Sequence, residues 1–211
     1  MTEYWGDIDS ERASLADQLD DLTEAEWKAP SLCAGWTARE VVAHLTYPTR
    51  ETWGAMLRGL VKARGDFDRM THESAIKEAA PFSNAQLVAG LRDIVGSREL
   101  APLTKPSEPL FEILLHAQDI MRPLGRTRTM PPPAALKAVE RIWSMGFPFN
   151  AKKKLKGFRL NATDVDWTAG EGELIEGRVE DLLLLVSGRT EIALAQLSGD
   201  GIGALKGGMT G

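Results

Sequence analysis

A glutamate and a histidine one helical turn apart, inside an otherwise apolar run, restrict this chain more than any other feature of it. The run is Phe111-Glu112-Ile113-Leu114-Leu115-His116. At positions i and i+4 both side chains fall on one helix face, roughly 6 Å apart along the axis. Their neighbours are apolar, so that face is expected to point into a core. A buried, unpaired carboxylate is costly, and neutral imidazoles offset the cost poorly unless a cation joins them. The fold must therefore bring a partner from elsewhere. His44, in the apolar helical stretch Val41-Val42-Ala43-His44-Leu45, is placed to be that partner. His72, the remaining histidine, lies in the polar segment Asp68-Arg69-Met70-Thr71-His72-Glu73 and reads as solvated.

His44, Glu112 and His116 together make a three-ligand set with one coordination position left over. That open position separates a catalytic zinc-type site from a closed structural one. A plainer reading of the same residues stands beside it. His44 alone fits a hydrogen-bonded core histidine, and Glu112 with His116 fits a helix-stabilising pair.

Helix signals dominate the first 147 residues. Leu15, Leu19 and Leu22 stripe a helix from about Asp7 to Leu22. Thr23-Glu24-Ala25-Glu26 and Thr37-Ala38-Arg39-Glu40 are capping boxes, the second opening the helix that carries His44. Pro48 should kink that helix, whose apolar face resumes at Thr52, Met56 and Leu60. Ser83-Asn84-Ala85-Gln86 caps a helix with the stripe Leu87, Leu91, Ile94 and Val95. Ser107 and Pro109 open the helix with Glu112 and His116, which stops at Pro123-Leu124-Gly125. Pro131-Pro132-Pro133 starts another, with Leu136, Val139, Ile142 and Trp143 near its inner side. The expected fold is mainly α, a four-helix bundle over residues 1–149 with its site between facing helices.

After Phe149 the texture changes. Residues 158–178 alternate and carry Gly170, Gly172 and Gly177, which predicts short strands joined by turns. Val179 to Val186 reads as an apolar helix ended by Gly188, and short helical pieces follow. Residues 150–211 thus form a small α+β unit, expected to pack on the bundle.

The net charge of −5 over 211 residues argues against a nucleic-acid surface. Nine acidic residues between Glu3 and Glu26 meet only Arg12 among bases, the pattern of a solvated helix face. Lys152-Lys153-Lys154-Leu155-Lys156 could meet a phosphate or carboxylate, or serve as a solvated linker. A single cysteine, Cys33, excludes a disulfide framework. It is either a thiol beside the metal or a buried loop residue. No basic segment precedes an apolar stretch at the N-terminus, and no apolar run approaches membrane-spanning length. The expected location is the cytoplasm, without a membrane partner.

Two segments together carry a family resemblance. The first runs from Trp27 to Thr37 (Trp-Lys-Ala-Pro-Ser-Leu-Cys-Ala-Gly-Trp-Thr) and on through Val41-Val42-Ala43-His44-Leu45. It resembles the N-terminal signature of the mycothiol-dependent maleylpyruvate isomerase family, whose members have DinB-like metal-binding helical bundles. The second, Glu112-Ile-Leu-Leu-His116-Ala-Gln-Asp119-Ile-Met-Arg122-Pro-Leu-Gly125, resembles the family's second signature. The resemblance implies that the family's zinc ligands correspond to His44, Glu112 and His116. It also implies mycothiol as thiol cosubstrate and a sterol-carrier-like C-terminal unit. The family isomerase uses a C-terminal arginine, for which Arg178 and Arg189 are both candidates.

Metal coordination deprotonates a thiol at neutral pH. The expected activity is thiol transfer to, or thiol-catalysed isomerisation of, a small electrophile. Asp119, three residues after His116, either accepts its imidazole N–H or pairs with Arg122. Two other functions remain open from the residues: a non-catalytic metal-binding sensor or partner module, and a carrier of a small apolar ligand.

Overall fold

Thr23 and Ser83 each do at a helix start what their spacing predicts. Each hydroxyl accepts the backbone N–H three residues on, and the Glu26 or Gln86 side chain reaches back to the capping residue's own N–H. The structure, a computed structural model, describes residues 4–46, 75–77, 79–100 and 104–208. The expected kink at Pro48, the stripe Thr52-Met56-Leu60, and His72 lie outside the described residues. Contacts divide the chain into two units, Met1–Arg128 and Thr129–Gly211. The division falls earlier than the change of sequence texture after Phe149.

The first unit contains α1 (Trp5–Asp20), α2 (Glu24–Trp27), α3 (Ala38–Thr46), α4 (Asn84–Asp93) and α5 (Glu108–Met121). Helices α1 and α3 each pack against both α4 and α5. Leu15, Leu19, Val41, Val42, Leu87, Leu91, Ile113 and Ile120 fill the space between them. Each such side chain contributes about 1.5–3 kcal/mol of burial free energy. The α4 stripe turns slightly from the expected one. Val88 is buried with Leu87 and Leu91, while Val95, beyond the helix end, is exposed.

The acidic N-terminal run is not simply a solvated face, because arginines far along the chain return to it. Arg128 meets Glu11 at 2.6 Å with both side chains almost fully buried. Arg92 bridges Asp17 and Asp20, Arg98 meets Asp9, and Arg126 meets Glu26. Arg12, itself buried, donates to the Ile94 carbonyl at 2.8 Å and ties α1 to the end of α4.

The second unit contains α6 (Pro132–Ser144), α7 (Ala151–Lys154), β1 (Gly157–Ala162), β2 (Thr168–Gly170), β3 (Gly172–Gly177), α8 (Val179–Val186), α9 (Thr190–Leu194) and α10 (Gly201–Gly208). The earlier division has a packing reason: α6 lies against α8. Its buried face is Ala134, Ala135, Ala138, Val139 and Ile142, with Leu136 and Trp143 only half-buried. Small residues let α6 approach closely the almost entirely buried α8.

The sheet order is β2-β1-β3, with β1 antiparallel to β2 and parallel to β3. The chain therefore crosses the end of β1 within Gly170-Glu171-Gly172. Both glycines have positive φ, +77° and +126°, and a Cβ on Gly172 would stand 1.9 Å from the Gly157 carbonyl oxygen. Only glycine fits such an approach. Asp164 accepts the Val179 N–H at 2.8 Å and fixes the start of α8. The chain is thus mainly helical with a small three-stranded sheet. Among the described residues no helix is long and apolar enough to cross a membrane.

Candidate metal centre

His44 comes from the last turn of α3, and Glu112 and His116 from successive turns of α5. The Thr37–Glu40 pair starts α3: the Glu40 carboxylate accepts the Thr37 N–H at 2.8 Å and also the Thr37 hydroxyl. Buried Val41, Val42 and Leu45 hold α3 against the core, which leaves His44 turned toward α5. On α5, Phe111, Ile113, Leu114 and Leu115 are buried on either side of the polar pair.

The three predicted side chains come together. Glu112 Oε2 lies 3.0 Å from His116 Nε2 and 3.4 Å from His44 Nε2. The imidazole rings stand edge to face, with centroids 5.0 Å apart. One donor atom from each of the three residues lies within 4.8 Å of the other two. Zinc bonds of about 2.0–2.1 Å in a tetrahedral arrangement separate neighbouring donors by about 3.4 Å. The donor set and its spacing therefore fit a divalent cation. The pair does not sink fully into the core, as its neighbours suggest it should. The Glu112 side chain is 39% exposed, against 13% for His116. Among the three, Glu112 is the side chain most open to solvent.

Behind His116 the environment closes. Asp119 Oδ2 lies 2.8 Å from His116 Nδ1, and the Asp119 side chain is 1% exposed. Of the two roles open to Asp119 in the sequence, the structure shows contact with the imidazole. An ionised carboxylate can only accept, so this contact calls for a proton on Nδ1, while Nε2 faces Glu112 and His44. A histidine that binds metal usually gives its other ring N–H to such an acceptor.

Two further residues come from the loop between α2 and α3. Trp36, buried, lies with its ring centroid 5.3 Å from that of His44 and 6.5 Å from that of His116. Cys33 Sγ lies 3.2 Å from Asp119 Oδ2 and 3.6 Å from His116 Nδ1. The loop is pinned by Ser31, whose hydroxyl bonds the Trp36 carbonyl, and by the Leu32 N–H on the Asp119 carbonyl at 3.0 Å. Sequence spacing carries no signal for the Cys33–Asp119 contact, since 86 residues separate the two.

Electrostatics bind the group together. Burial pushes the Glu112 carboxyl up, but hydrogen bonds from His116 and His44 outweigh it and hold the group well below the usual carboxylate range. Burial pushes His116 down, but its bonds to Asp119, Cys33 and Glu112 outweigh that and raise it well above the ordinary imidazole value. Without a cation, a second proton on the His116 imidazole takes its place beside the carboxylate. Arg178 is engaged by Asp164 and Glu180, each at 3.4 Å, within the second unit.

Two solved structures share this fold, both crystal structures of the mycothiol-dependent maleylpyruvate isomerase. One, a histidine-to-alanine mutant, is 14% identical with a TM-score of 0.63, and the alignment covers 94% of this chain and 92% of that one. The other is 15% identical with a TM-score of 0.61 and the same coverage. No curated protein matches the sequence. The profile of the mycothiol maleylpyruvate isomerase N-terminal domain matches residues 8–121, a segment that includes Cys33, His44, Glu112, His116 and Asp119. Because that match spans more than half of the chain, the protein belongs to the mycothiol maleylpyruvate isomerase N-terminal domain family.

Proposed function

We propose that the chain is a divalent-metal-binding, mycothiol-dependent enzyme that acts on a small electrophile. The observation that carries this reading is the convergence of His44, Glu112 and His116 beside a partly exposed Glu112. Zinc suits two imidazoles and a carboxylate. Held there, a divalent cation supplies Lewis-acid stabilisation of a thiolate at neutral pH. The chain's own residues do the rest of the work at this end of the fold. His44 and His116 present Nε2, Asp119 keeps a proton on His116 Nδ1, and the Trp36 ring stands beside both imidazoles. The α1, α3, α4 and α5 packing is read as the family's DinB-like four-helix bundle.

The family and the two solved structures support mycothiol as the thiol and isomerisation as the reaction; sulfur transfer to an electrophile is the alternative the same thiolate would allow. Metal analysis of the purified protein, with cobalt substitution and mycothiol titration, tests the reading. A sulfur-to-metal charge-transfer band and faster thiol reaction with activated alkenes or halides are expected. No spectral change and no rate enhancement would favour a non-catalytic metal module.

A second reading draws on one further observation. The second unit holds a cavity of about 240 Å³ lined by Leu155, Phe158, Leu185, Val186 and Leu205, with Lys154 at its edge. This supports carriage of a small apolar ligand, which native mass spectrometry of the purified protein would reveal as a retained adduct.

A further inference from the structure

Asp119 is gripped from two sides. Its Oδ2 faces His116 Nδ1 at 2.8 Å and Cys33 Sγ at 3.2 Å, and its carbonyl accepts the Leu32 N–H at 3.0 Å. A buried carboxylate needs donors, and its direction follows from where they stand. One donor is the imidazole itself. The other is the Cys33 thiol. Its loop is also tied to the Asp119 backbone carbonyl by the Leu32 N–H, and is in turn closed by bonds from the Ser31 hydroxyl to the Trp36 carbonyl and from the Cys33 N–H to that hydroxyl.

We propose that Cys33 is a positioning residue for the metal centre: its S–H donates to Asp119 Oδ2 and so fixes the carboxylate that orients the His116 imidazole. This inference rests on the metal-centre reading above. The placement of the sulfur also argues against Cys33 as a ligand to the same cation. It stands on the Nδ1 side of the His116 ring, whereas Nε2 faces Glu112 and His44. A thiol there serves the ring's orientation and leaves the open coordination position to an external sulfur.

Cys33 is the only cysteine in the sequence, so the S–H stretching band in the infrared is a single-residue signal. In the metal-free wild type the band is expected at the lowered frequency of a bonded thiol, and Asp119→Asn is expected to raise it. In the zinc-loaded protein, Cys33→Ala is expected to weaken metal binding about threefold to tenfold, at or below the low end of losses from outer partners of metal ligands. Cys33→Ser, which keeps a donor, is expected to recover most of that loss.

An S–H band indifferent to Asp119→Asn overturns the proposal, as does a Cys33→Ala protein that holds zinc as tightly as wild type. A Cys33→Ser protein no tighter than Cys33→Ala marks a packing role and overturns it as well. Sulfur-to-cobalt charge transfer in the wild type without added thiol, lost in Cys33→Ser, would make Cys33 a ligand instead. A wild type that takes up no divalent cation sinks the metal reading itself, and the metal-free infrared measurement still reports separately on the Cys33–Asp119 bond.

Discussion

Asp119 Oδ2 and His116 Nδ1 stand 2.8 Å apart with the carboxylate wholly buried, so the imidazole that faces Glu112 is locked in one ring orientation. Asp119→Asn keeps the shape of the side chain and removes its charge. Metal affinity, measured by chelator competition, is expected to fall about 10–100-fold. An unchanged affinity would show that the contact does not orient a ligand.

His116→Ala removes a proposed ligand, whereas His72→Ala changes a residue of a polar sequence segment. Metal content of the purified proteins is expected to drop sharply in the first and to stay at the wild-type level in the second. Equal retention in both would contradict the ligand assignment.

The proton balance of the group sets a sign for pH. His116 is raised above 6.5, so its contribution to stability is complete below 6.5 and is lost as pH rises through the folded-state value. Glu112 is lowered from 4.5, so its contribution is complete above 4.5 and is lost as pH falls through its folded-state value. In metal-free protein the pair therefore stabilises most between 4.5 and 6.5. A cation must displace the second His116 proton, the one on Nε2, so metal affinity should climb with pH. Thermal unfolding with and without metal checks both statements, the metal-induced increase in Tm growing as pH rises. An increase in Tm independent of pH would contradict the account.

Arg128 and Glu11 form a buried pair within the first unit. Arg128→Ala leaves the Glu11 carboxylate without that partner, and is expected to cost about 3–5 kcal/mol of stability. Denaturant unfolding measures the loss, and metal content should be unaffected in the protein that remains folded.

The parts of this molecule that follow local rules were legible in the sequence. The Thr23–Glu26 and Ser83–Gln86 boxes start their helices, and the turn between Glu112 and His116 puts both on one face. The inward His44 could be picked out because its neighbours Val42, Ala43 and Leu45 are apolar and buried. What escaped depends on residues distant in the chain. Much of the acidic run is the exposed face its composition suggests, Asp17, Asp20, Asp21 and Glu24 among it, but its ion pairs and the burial of Glu11 were hidden because Arg92, Arg98, Arg126 and Arg128 lie many residues later. The choice between the two readings of Cys33 stayed open because Asp119 and His116 reach it only through the packing of the α2–α3 loop on α5. The helix Pro132–Ser144 read as part of the bundle because an apolar stripe such as Val139 and Ile142 marks a buried face without naming its partner, and the three alanines beside them add no further signal. The parallel pairing of β1 and β3 likewise leaves no mark beyond the glycines that make the crossing possible.

X-ray absorption at the zinc edge tests most directly whether His44, Glu112 and His116 hold one cation with a position open to an external thiol. The zinc-loaded protein should show only nitrogen and oxygen neighbours at about 2.0–2.2 Å, with imidazole scattering from two rings. Adding mycothiol should introduce one sulfur at about 2.3 Å, in the wild type and in Cys33→Ala alike. A sulfur shell before any thiol is added, or none after it, would contradict the account.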